Sequence, residues 1–169
     1  MSVSDDEWID EDAIARAIGY VAMESSRLER LTGVLALHLL GSDLGEVAVL
    51  GQAWGTVHQI CRSLVAERQA RGHRIGGRGC TQTLEEVAKV LDSASELMTR
   101  RNHVLHGYWL ADEDADEIGL VLLVDRRYGG QRIMKRESLA NVTSLSEQLE
   151  TVADEIGRLA SDLGGTWSP

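Results

Sequence analysis

Apolar residues recur at alternating steps of three and four in four separate stretches, the spacing that lays one stripe along a helix. The first stretch carries Ile14, Ile18, Val21, Ser25, Leu28, Thr32, Leu35 and Leu39, a heptad-like seam that predicts a helix over about Asp12 to Leu40. Gly41 reads as its stop and Ser42 or Asp43 as the next cap. Leu50, Trp54, Val57, Cys61, Leu64 and Val65 predict a second helix over about Asp43 to Arg71, broken near Gly51 or Gly55. The third stretch runs Leu84, Val87, Leu91, Ser95, Met98, Asn102, Leu105 and Trp109, and begins at the capping-box form Thr83-x-x-Glu86. It predicts a helix from Thr83 to about Trp109, with Asn102 on the packed face and Tyr108 still helical. Val142, Leu145, Leu149, Val152, Ile156, Leu159 and Leu163 predict the last helix, over about Ser138 to Leu163, stopped by Gly164 and Gly165.

One stretch breaks this pattern. Residues 119–125 are rich in β-branched and apolar side chains, Gly129-Gly130 suits a tight turn, and Ile133 and Met134 begin a return strand. The expected fold is therefore mainly α: four long helices in a bundle, with a β-hairpin at about 118–136 inserted before the last helix. Residues 1–11 form an acidic lead-in, and 12–165 form a single helical domain.

Composition narrows the function classes. A chain of 169 residues with 43% apolar content can bury a sizeable core and is not disordered. The net charge of −10 disfavours nonspecific nucleic-acid binding, yet its distribution is uneven. Six acids and no base fall within the first twelve residues, whereas Arg126, Arg127, Arg132, Lys135 and Arg136 cluster on the hairpin. The segment 71–80 adds Arg71, Arg74 and Arg78 among four glycines, without the Gly-Lys-Ser/Thr ending of a phosphate-cradling loop. Cys61 and Cys80 stand alone with no CxxC, so no zinc site is expected and a reduced, cytoplasmic protein is the simplest reading. No signal peptide is expected, and no apolar run approaches ~18 residues, so no membrane span is expected either.

The chemistry concentrates between Arg100 and Tyr108. Histidine moves protons near neutral pH, arginine offers a planar fork of donors matched to phosphate oxygens, and asparagine orients its neighbours without titrating. Arg101, Asn102 and His106 together suit cleavage of a phosphodiester without metal or cofactor. His106 would take the ribose 2′-hydroxyl proton, and Arg101 would stabilise charge on the phosphoryl oxygens. A second proton carrier is needed. His103 lies on a different face of the same helix, whereas a symmetric pair of chains supplies a second His106. Arg100, His103, Tyr108, Arg126, Arg127 and Arg132 are the candidate auxiliary or RNA-binding residues.

Arg101-Asn102-His103-Val104-Leu105-His106 resembles the Arg-polar-x3-His signature of the HEPN domains, the higher-eukaryote and prokaryote nucleotide-binding domains. The resemblance implies a helical bundle with the signature on a late helix. It also implies catalytic roles for Arg101, Asn102 and His106, and a metal-independent endoribonuclease acting as a homodimer in toxin–antitoxin or anti-phage defence. Tyr108 extends the motif to Arg-x4-His-x-Tyr, similar to toxins whose tyrosine is adenylylated by a nucleotidyltransferase antitoxin. The same residues also fit a non-catalytic HEPN-like module that binds a protein partner or a nucleotide. In that case the cations would be a solvated face near a helix C-terminus, and Asn102 would be a register-setting polar residue.

Overall fold

The computed structural model describes residues 11–41, 45–49, 51–71, 84–110, 120–124 and 132–164. The protein is mainly helical. Four long helices, α1 (Glu11–Leu40), α3 (Trp54–Ala70), α4 (Leu84–His106) and α5 (Leu139–Gly164), surround one core, and a short helix α2 (Gly45–Val49) links the first two.

The seam of α1 is the axis of the bundle. Val21, Ser25, Leu28, Thr32, Leu35 and Leu39 are all buried, and every residue of the α5 stripe from Val142 to Leu163 is buried opposite them. The two polar seam residues are satisfied within α1. Ser25 Oγ donates to the Ala22 carbonyl at 3.0 Å and Thr32 Oγ1 to the Leu28 carbonyl at 2.8 Å, so neither leaves a buried donor unmade.

Cross-helix contacts give the directions. Arg27 pairs with Asp154, and Leu31 lies against Gly157, so α5 runs with α1. Cys61 faces the Thr32 carbonyl, and Arg68 donates to the Leu39 carbonyl, so α3 also runs with α1. On α4, His58 meets the Leu91 carbonyl and Arg62 the Ala88 carbonyl, while Arg158 reaches Glu86 and Arg100 reaches Gln148. α4 therefore runs against both α3 and α5. Because α1 and α3 run the same way, the chain must double back between them. It does so through α2, where Val49 sits beside Gly33 and Gly45 beside Leu40. The break expected near Gly51 is the end of α2, and Gly51 takes a φ of +75° there. Gly41, with a φ of +61°, ends α1 as its position in the sequence predicts.

α4 departs from expectation in two ways. Its buried stripe is Leu84, Val87, Val90, Leu91, Ala94, Leu97, Met98 and Val104, not the run through Ser95 and Asn102. Asn102 is exposed. A strict seven-residue repeat drifts by ~20° per heptad on a straight helix. In addition, α3 begins only one turn before His58 and has run out before α4 reaches Asn102. The second departure is at the end. α4 stops at His106, and Tyr108 opens strand β1 (Tyr108–Leu110) instead of continuing the helix. Gly107 precedes three strand-forming residues, and the Trp109 indole folds back to donate to the Val104 carbonyl at 3.1 Å, satisfying one of the helix's orphan acceptors.

β1 pairs antiparallel with β2 (Leu120–Val124), which pairs antiparallel with β3 (Arg132–Arg136). The turn of the expected hairpin, including Arg126 and Arg127, lies outside the described residues. So do the caps expected at Ser42, Asp43 and Thr83, the basic segment 72–80 and the acidic lead-in. α5 opens on Ser138, whose Oγ accepts the Asn141 N–H at 3.1 Å in an N-cap arrangement.

Candidate functional site

Position 101 falls on the α1-facing side of α4, one turn after Met98 and one before Val104. A long side chain there is mostly, but not wholly, covered. It runs along α1 with 20% of its surface exposed, and its guanidinium finds three partners. Arg101 Nε donates to Ser25 Oγ at 3.1 Å, Nη1 donates to the Asn102 carboxamide oxygen at 3.0 Å, and Nη2 lies 3.9 Å from Glu29 Oε1. Glu29 is 40% exposed, so this long ion pair is screened and contributes at most ~1 kcal/mol.

Asn102 stands on the open side of α4 and turns its oxygen to Arg101. His106, one helical turn further along, is exposed as well. The structure therefore brings Arg101 and Asn102 into contact and leaves His106 on the same open stretch of α4.

The auxiliary residues divide. Arg100 points the other way and donates to Gln148 of α5 at 3.0 Å. His103 is half-buried beside it, in a small recess shared with Glu137 and Asn141. Its Nδ1 is buried and has no hydrogen-bond partner. Arg100 and His103 thus belong to the α4–α5 junction, not to the face bearing Asn102. Tyr108 and Arg132 are the first residues of β1 and β3, and Arg126 and Arg127 lie outside the described residues.

Ser25 and Glu29 are the contacts that sequence reasoning missed as site residues. Ser25 carried a signal, being a small hydroxyl inside an otherwise apolar seam. Glu29 carried none, because one acid on an exposed helix flank is ordinary.

Among the described residues no group of three or more His, Cys, Asp or Glu could hold a metal ion, and no helix is long and apolar enough to cross a membrane. Comparison with protein-family models, curated proteins and solved structures finds no match.

Proposed function

We propose that the protein is a metal-independent endoribonuclease of the HEPN type, active as a homodimer and belonging to a toxin–antitoxin or anti-phage defence system in the cytoplasm. The supporting observation is the contact between the Arg101 guanidinium and the Asn102 carboxamide, with His106 exposed one turn later. In this reading His106 removes the proton from a ribose 2′-hydroxyl, whose oxygen attacks the adjacent phosphorus. The 5′-oxygen leaves with a proton from the His106 of a second copy. A 2′,3′-cyclic phosphate and a 5′-hydroxyl result. Arg101 carries the charge that builds on the phosphoryl oxygens, and Asn102 holds the guanidinium's edge toward them.

In the same reading residues 118–136 form a hairpin whose Arg126, Arg127 and Arg132 offer a basic surface to RNA. Tyr108 is the position a nucleotidyltransferase-type antitoxin would adenylylate. The decisive experiment is cleavage of RNA by the purified protein in EDTA, compared with His106→Ala. Cyclic-phosphate ends from the wild type alone support the reading. Equal cleavage by both proteins, or none by the wild type, sinks it.

A second reading is a non-catalytic HEPN-like module that binds a protein partner or a nucleotide. It is favoured by the Arg101–Glu29 ion pair, which gives Arg101 a structural use, and by Tyr20 and Met23, which stand 51% and 63% exposed on α1. A growth defect on overexpression that vanishes with His106→Ala argues against this alternative.

A further inference from the structure

The guanidinium of Arg101 is held by two groups from α1 and one from its own helix, and the kind of group at each nitrogen differs. Ser25 is fully buried and its single hydroxyl proton is committed to the Ala22 carbonyl. What its oxygen presents to Arg101 Nε is therefore a lone pair in a fixed direction, with no freedom to rotate into a donor. That contact orients the guanidinium without neutralising it. Asn102 takes one Nη1 proton and is also neutral. Only Glu29 brings negative charge, and it does so at 3.9 Å, beyond hydrogen-bond reach. One Nη1 proton and both Nη2 protons have no hydrogen-bond acceptor among these partners, and a planar pair of N–H donors is what a phosphate accepts.

We propose that Ser25 and Glu29 of α1 are the positioning residues of the Arg101 site. Ser25 aims the guanidinium, and Glu29 is the weak resting counter-ion that an RNA phosphate displaces. The proposal rests on the ribonuclease reading for the identity of the anion, but the Ser25 contact stands on geometry alone. Neutral contacts orient the guanidinium without compensating its charge, which leaves that charge available to an incoming phosphate. A carboxylate held at that distance is easily exchanged. A tight bidentate Arg–carboxylate pair in the same place would compete with the substrate far more strongly.

Two measurements on the full chain test this. The first reads the Arg101 Nε–H signal by nitrogen-15 NMR, identified by its disappearance in Arg101→Lys. It should exchange slowly with water in the wild type and be lost to fast exchange in Ser25→Ala. The second reads binding of a 2′-O-methylated, uncleavable single-stranded RNA by fluorescence anisotropy. Glu29→Gln should bind roughly two- to fivefold tighter at low salt, the size expected from freeing one screened pair. The gain should shrink as salt is raised and vanish in an Arg101→Ala background. A signal that stays protected in Ser25→Ala overturns the aiming role. A gain from Glu29→Gln that persists without Arg101 overturns the displacement role, since it would reflect net charge alone. If the wild type and Arg101→Ala bind the RNA equally, the ribonuclease reading fails and displacement with it, while the Nε–H measurement still decides the Ser25 contact.

Discussion

At the scale of single residues, burial decides what a side chain can do. Cys61 is fully buried, faces the Thr32 carbonyl at 3.7 Å, and its thiol is pushed up by burial from 9.0 to about 12. It should resist alkylation in the folded protein at pH 8, which mass spectrometry of the labelled Cys61 peptide will show. The folded state holds the thiol proton more tightly than the unfolded chain. Its contribution is therefore complete below pH 9 and falls away as pH rises toward 12, by at most ~1.4 kcal/mol per pH unit. Urea unfolding from pH 8 to 11 should show a steeper loss for the wild type than for Cys61→Ala. Asn102 is the opposite case. Being exposed, it should cost less than ~0.5 kcal/mol when changed to Ala, by thermal melting, while on the proposed ribonuclease reading the same change should abolish RNA cleavage. A large loss of stability in Asn102→Ala would make it a structural residue. Cys61 as a core residue was legible from its place on an apolar face. Asn102 was not, because a one-dimensional stripe does not record where the covering helix ends.

At the scale of elements, the ends of α1 and α2 were written locally. Gly41 stops α1 and Gly51 ends α2 with positive φ, a conformation costly for any residue with a Cβ. Gly51→Ala should therefore lower stability by ~1 kcal/mol. Gly19→Ala, on an exposed helical position with open space around it, should raise stability by ~0.5–1 kcal/mol. Chemical denaturation of the two variants side by side separates backbone conformation from packing. Within the bundle, Leu149 is fully buried on α5, and Leu149→Ala should cost about 2–5 kcal/mol by the same measurement. The stripes of α1 and α5 were legible residue by residue, since each helix is long and uninterrupted. The end of α4 was not. Its periodicity carries on formally to Trp109, but Gly107 and the strand pairing of Tyr108 with Leu122 take the chain out of the helix first. Strand pairing is a contact with residues fourteen positions away, and helical periodicity does not register it.

At the scale of the whole molecule, the site lies where the bundle is incomplete. α3, which begins at Trp54, covers only the first half of α4, and the second half presents Asn102 and His106 to solvent above the Arg101–Ser25 contact. With a net charge of −10, any RNA binding must come from local cations such as Arg101, not from the overall field. The expected outcome is a shallow dependence of RNA affinity on salt, with a slope reflecting few phosphate contacts, measured by anisotropy between low and moderate ionic strength. The sequence alone determined the apolar stripes of α1 and α5, the glycine stop of α1 and the break near Gly51, and which short segment carries the candidate chemistry. Each of these is a relation among neighbours in the chain. Only the tertiary structure decided that α1 and α3 run the same way, that α4 is left uncovered past α3, and that Arg101 reaches Ser25 and Glu29. Those depend on how far one helix extends along another, which is settled when their faces dock and not by the spacing within either.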